Sequence, residues 1–261
     1  MAAGRNTTSS VEAIERELRR VADRRRAVTE KKYLKSDLDF LGVSMPAMRA
    51  VVKSFVRERG ELSRTELTAL DRALWSEPVF DRRVAAVELL IARGDLLRAG
   101  DLRLVERLIR QSKTWALVDS LGESVAGGLV VRFPELNATL DRWAEDGDFW
   151  IRRSAMLALL RPLRRGHGDF PRFARYADAM LSETEFFIRK AIGWVLRETS
   201  KKRPELVSRW LAPRAGRASG VTVREAVKYL PERDRDRIMA SYRGRLKREP
   251  GPPSGSRRRA R

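Results

Sequence analysis

IRKAIGWVL, residues 188–196, aligns without a gap to three other segments of the chain: DRRVAAVEL (81–89), IRRSAMLAL (151–159) and VREAVKYLP (223–231). Their equivalent arginines, Arg82, Arg152, Arg189 and Arg224, stand 70, 37 and 35 residues apart. A repeat near 35 residues with one unit skipped accounts for all three spacings. The skipped unit falls on TWALVDSLG (114–122), which has lost the basic pair. Such a period holds two helices, and each pair buries its inner face only by stacking on its neighbours.

Working outward, helix signals recur along the chain and strand signals are nearly absent. Val11, Ile14, Leu18, Val21 and Ala22 fall on one helical face behind a Ser9/Glu12 capping-box pattern. Ser63 with Glu66 repeats that pattern ahead of a run to Trp75. Ser44 precedes Pro46, and Met45, Met48, Val52, Phe55 and Val56 run on to a stop at Gly60. Breaks at Gly60, Pro78, Gly94 to Gly100, Pro134, Gly147, Gly166 to Gly168, Pro204 and Pro213 to Gly220 leave about a dozen helices of roughly 10 to 16 residues. Neither the Trp-x-x-Leu-Gly-x-x-Tyr pattern of tetratricopeptide repeats nor the Thr-Pro-Leu-His of ankyrin is present. The expected fold is all-α: a HEAT-like helical-repeat solenoid of about six antiparallel helix pairs with a basic concave groove. Residues 1–242 are expected to form one domain, and 243–261 a flexible tail rich in Arg, Pro and Gly.

The 261 residues include 55 Lys and Arg against 35 Asp and Glu, a net charge of +20 with an isoelectric point near 11.2. From Arg243 the tail carries eight basic residues against Glu249 alone, so +13 remains on the body. A charge of that size points to a polyanionic partner. The chain has no Cys and one His, His167, between Gly166 and Gly168. Disulfide frameworks, zinc-thiolate sites, thiol nucleophiles and multi-His metal sites are thereby excluded. No signal peptide or long apolar window is evident, and a soluble, cytoplasmic protein is expected, nucleoid-associated if bacterial.

The repeat register exposes one odd residue. Two positions after the Arg the column reads Val84, Asp119, Ser154, Ala191 and Ala226, four small or apolar residues and one carboxylate. Four positions earlier it reads Phe80, Trp115, Trp150, Phe187 and Thr222; three later, Val87, Gly122, Leu157, Trp194 and Tyr229. Asp119 thus shares a face with Trp115. It is either a functional acid on an aromatic face or a cap or ion-pair partner for a neighbouring Arg, and the aromatic column is either cleft or core. The basic positions Arg83, Arg153, Lys190 and Arg224 are expected to stack along a nucleic-acid groove, with a solvated face as the alternative. Arg24 to Arg26 add a basic run at the first helix.

KTWALVDSL (113–121), DFWIRRSA (148–155), EFFIRKAIGWVLRE (185–198) and, less sharply, KKYLKSDLDFLGV (31–43) resemble, in this order and at similar separations, the AlkD-like DNA glycosylases. The resemblance spans Tyr33 to about Leu230. It implies hydrolysis of the N-glycosidic bond of cationic N3- and N7-alkylated purines in duplex DNA, a step of base excision repair, by a monomer without metal or organic cofactor. It further implies that Asp119 is the catalytic carboxylate, that Trp115 and Trp194 hold the deoxyribose of the lesion, that Arg153 lies near the site and that Tyr33 is a DNA contact on an early helix. The sequence departs from the family pattern at Thr114, where a second Trp is usual, and at Ala116, where a polar residue is expected. The alternative is a non-catalytic DNA- or RNA-binding HEAT-repeat protein.

Overall fold

A computed structural model describes the backbone from Ala2 to Leu246. It divides into two compact units, residues 1–161 and 162–261. The first carries α1 (Ala2–Arg20), α2 (Arg24–Leu34), α3 (Met45–Arg59), α4 (Arg64–Trp75), α5 (Phe80–Ala92), α6 (Leu102–Gln111), α7 (Trp115–Ser120), α8 (Gly127–Arg132), α9 (Asn137–Ala144) and α10 (Phe149–Ala158). The division falls within α11 (Leu160–Arg164). The second unit carries α12 (Phe170–Ala179), α13 (Phe186–Ser200), α14 (Pro204–Leu211), α15 (Gly220–Ala226) and α16 (Glu232–Leu246). Among the described residues the only β pairing is an isolated bridge between Asp39 and Val79, so the fold is all-α.

Local chemistry sets the helix boundaries. Ser63 and Glu66 form the expected capping box of α4, and Ser44 caps α3, with Pro46 in its first turn and Gly60 at its end. The Ser9/Glu12 pattern is not a start: α1 begins at Ala2, which leaves both residues inside the helix. Arg24 to Arg26 do not extend α1 but open α2 behind the Asp23 cap. α16 runs to Leu246, so the first residues of the expected tail are helical; 247–261 lie outside the described residues.

The four aligned segments fall on α5, α10, α13 and α15, and the skipped unit supplies α7. The period also appears in side-chain contacts. Arg64 pairs with Asp101, Arg110 with Asp146, Arg153 with Asp119, Lys190 with Glu225 and Arg214 with Asp178, across 37, 36, 34, 35 and 36 residues. Each bond ties one repeat to the next. Beneath these polar ties lie apolar interiors: Leu67, Leu74, Leu89 and Ile109 in the first unit, Phe173, Ile188, Ile192 and Leu196 in the second.

Candidate active site around Asp119

The skipped repeat differs from its neighbours in backbone as well as sequence. Lys113 adopts a left-handed conformation, φ 53°, and turns the chain into α7. Buried Thr114 is the N-cap: its Oγ1 accepts from Ala116 N–H at 3.5 Å and its carbonyl from Val118 N–H at 3.3 Å. The family departure at Thr114 therefore has a structural use. After Ser120 the helix widens into a π turn, Leu121–Ala126, before α8 resumes the α-helical pitch. α10 packs on this turn. A Cβ on Gly122 would meet Ser154 at 3.3 Å and one on Gly127 would meet the Ala158 carbonyl at 2.8 Å, so two glycines permit the approach.

That approach brings Arg153 of α10 to Asp119. Nε donates to Oδ1 at 2.7 Å and an η nitrogen to Oδ2 at 2.8 Å, a bidentate fork. The Arg153 side chain is 3% exposed, that of Asp119 16%. The guanidinium therefore lies behind the carboxylate, and the acid has the edge that reaches solvent. Of its register column, Val84, Ser154, Ala191 and Ala226 are buried, and Asp119 alone is not.

Trp115, one helical turn before Asp119, receives the Tyr33 ring edge-on, with centroids 6.0 Å apart and planes at 86°. Tyr33 is 71% exposed at the C-terminal end of α2, where Lys31 and Lys32 are exposed too, as are Arg24, Arg25 and Arg26 at the helix's other end. The loop after α2 is fixed from below: buried Asp81 accepts from Leu41 N–H at 2.6 Å and Val43 N–H at 2.8 Å. Between them Gly42, φ 78°, lies so close to the Asp23 carbonyl that a Cβ there would be only 2.2 Å from it. One unit thus brings together Tyr33, Trp115, Asp119 and Arg153 beside a basic helix.

The other expected site residues are placed differently. Arg83 is buried, donates to the Gln111 carbonyl at 2.9 Å and lies 5.1 Å from the centroid of Trp75. Burial takes it and Arg153 out of the expected phosphate-lining row; both are spent on tying repeats together. Lys190 is half-exposed and pairs with Glu225. Arg224 is exposed on α15, and Trp194 is half-buried on α13 of the second unit. Sequence reasoning missed Gly122, Gly127 and Glu225. The period itself held a signal for Glu225, a carboxylate one repeat after Lys190, as Asp119 lies one repeat before Arg153. Among the described residues no three His, Asp or Glu side chains gather to hold a metal ion, and no helix is long and apolar enough to cross a membrane.

The profile of the family described as DNA alkylation repair enzyme matches residues 14–230. The chain belongs to that family. Its membership supports a role in the repair of alkylated DNA. Among solved structures, a predicted DNA alkylation repair enzyme from Enterococcus faecalis superposes with a TM-score of 0.73 at 22% identity, covering 81% of this chain and 97% of that one. AlkD2 from Streptococcus mutans superposes with a TM-score of 0.56 at 16% identity, covering 78% and 97%. At these identities the likeness is one of fold. No curated protein matches the chain.

Proposed function

We propose that the protein is a DNA glycosylase that hydrolyses the N-glycosidic bond of cationic N3- and N7-alkylated purines in duplex DNA, with Asp119 as the catalytic carboxylate. The observation that carries this is the Asp119 carboxylate, held by the buried Arg153 fork and open to solvent beside Trp115, in a member of a DNA alkylation repair family.

The chemistry suits the residues. Alkylation at N3 or N7 gives the purine a positive charge, so the base departs as a neutral molecule and needs no general acid. Positive charge then develops on the deoxyribose. A carboxylate whose orientation is fixed in advance stabilises that charge without reorganising as the bond breaks. Arg153 supplies the orientation: its two hydrogen bonds use one lone pair on each oxygen and leave the outer ones for the sugar or for the attacking water. The face of Trp115 adds a cation–π attraction of about 0.5 to 2 kcal/mol for the same charge. The family resemblance gives Trp194 the same kind of contact with the deoxyribose. Both interactions strengthen as the bond breaks, which is the condition for a rate gain. Tyr33 and the basic residues of α2 are assigned to the DNA backbone.

The family resemblance implies recognition without an enclosed base pocket, so that selectivity comes from leaving-group charge. The test is release of free 7-methylguanine from methylated duplex DNA, run beside a duplex with a neutral damaged base. Release of the cationic base alone is expected; equal release of the neutral base overturns the mechanism. One observation favours the non-catalytic DNA-binding alternative: the fork engages both Asp119 oxygens, as Arg64 does those of Asp101 in a plain tie between repeats. Absence of any base release would decide for it.

A further inference from the structure

Among the described residues only two that are not glycine have a positive φ, and both are lysines: Lys35 at 48° and Lys113 at 53°. Each lies just past the end of a helix, Lys35 after α2 and Lys113 after α6, where glycine takes the left-handed conformation without a Cβ clash. The two are far apart in sequence yet flank one contact. Lys35 stands two residues after Tyr33 and Lys113 two residues before Trp115, and those two rings meet edge-on at 6.0 Å. Both lysines are exposed, and among the described residues neither amine has a hydrogen bond or ion pair. Lys31, Lys190, Lys201 and Lys228, by contrast, each pair with a carboxylate.

Charge alone does not account for lysine at these positions. The chain carries 45 Arg and 10 Lys, so arginine is its usual cation. Lysine adds a primary amine that can lose its proton and act as a nucleophile, whereas a guanidinium in a protein stays protonated. Of the two, Lys113 is tied more closely to the acid. Buried Thr114 follows it and caps α7, which fixes the Lys113 backbone to the helix that carries Trp115 and Asp119. Lys113 Cα lies within about 7 Å of Trp115 Cα, and Asp119 is one turn further, about 6 Å along α7. At the end of its four-carbon stem Nζ reaches about 6 Å from its own Cα, so the amine and the carboxylate can address one deoxyribose. Base release leaves an abasic deoxyribose whose C1′ opens to an aldehyde, the electrophile that a primary amine attacks.

We infer that the protein is also an abasic-site lyase, with Lys113 as its nucleophile. Neutral Nζ adds to C1′, and the carbinolamine loses one water to give a protonated imine. The C2′ proton passes to an outer lone pair of the Asp119 carboxylate; the C–H pair forms the C1′–C2′ double bond and nitrogen takes up the imine pair. The enamine then expels the 3′ phosphate. Nitrogen restores the imine, the C1′–C2′ pair becomes the C2′–C3′ double bond, and the C3′–O pair leaves with the phosphate. One water hydrolyses the imine, which frees the amine and leaves an unsaturated aldehyde on the strand end. No oxidant or reductant is consumed. The inference rests on the proposed glycosylase reading, whose product is its substrate.

The experiment supplies that substrate ready-made, as a duplex in which a uracil-excising glycosylase has removed one uracil. The full chain is added with sodium cyanoborohydride, which reduces an imine to a stable amine. A covalent protein–DNA complex on a denaturing gel is expected, with the sugar remnant mapped by peptide mass to Lys113; without reductant, the strand is expected to break at the abasic site. Lys113→Arg keeps the charge, and Lys113→Gly keeps the left-handed turn without strain. Each, once shown to be folded by thermal melting, is expected to lose the trapped complex, while Lys53→Arg on α3 traps as wild type does. No trapped complex from folded wild type overturns the lyase. Trapping that survives in both Lys113 variants, or that is lost only in Lys35→Arg, overturns the role of Lys113. Base release from methylated duplex, measured alongside, separates the two claims: release without trapping sinks the lyase alone, and trapping without release sinks the glycosylase alone.

Discussion

Asp71→Asn is expected to stabilise the protein in a pH-dependent way. Asp71 lies on α4 with 0% exposure, and neither carboxylate oxygen has a hydrogen-bond partner. Burial pushes its carboxyl from 3.8 up to about 7, with the charge of Arg72 opposing. Below pH 3.8 the acid is protonated whether the chain is folded or not, and its neutral form fits the core at no ionisation cost. As pH rises past 3.8 the unfolded chain gains by ionising while the folded chain does not. Stability present at low pH is therefore lost until pH passes 7, where the loss levels off at about 4 kcal/mol. Asparagine does not titrate. The stability difference between Asp71→Asn and wild type should thus grow by about 2.5 kcal/mol between pH 5 and pH 8. Urea denaturation of both proteins at pH 5, 6.5 and 8 measures it, and comparing the difference across pH cancels the fixed effect of replacing an oxygen by an amide. A difference that stays constant with pH refutes the assignment of a neutral, buried carboxylic acid. The result also bears on function, because an activity decline as pH rises towards 7 is expected to include unfolding of the unit that carries Asp119.

Arg83→Ala should lower the melting temperature yet leave the salt dependence of DNA binding unchanged, since its guanidinium is turned to Gln111 and Trp75. Lys32→Ala, on the exposed side of α2, should do the reverse and flatten the salt slope by about 0.9. Gly122→Val should destabilise the protein by about 1 to 3 kcal/mol by overpacking against Ser154. It should also lower base release while Asp119 is intact, because α10 carries Arg153; wild-type release would show that the close approach does not position the acid.

Much of the fold was legible because its determinants are periodic. The capping box at Ser63, the proline start at Pro46 and the four aligned segments are local or regularly spaced, and each lies on the helix its pattern implies. Ser9 misled because a capping pattern is also compatible with a helix interior once Ala2 to Thr8 join the helix. The candidate site was half legible. Asp119 stood out as a charge in a column of small residues. Arg83 and Arg153 were expected to face phosphate because a lone sequence column records charge but not direction. Their partners lie about one repeat away, and only the packing of one helix pair on the next shows that both guanidinium groups turn inward. The π turn after Ser120 left no composition signal, yet it shapes the surface on which α10 carries Arg153 to Asp119.

Asp119 is proposed to drive cleavage of an alkylpurine glycosidic bond. Its most direct test is single-turnover release of 7-methylguanine from methylated duplex DNA by wild type and Asp119→Asn, each at saturating protein and with binding to undamaged duplex measured alongside. Release by wild type and a loss of about 100-fold or more in the variant are expected, in the range seen when one preorganised electrostatic group is removed, with DNA binding retained. Equal rates for the two folded proteins would contradict it.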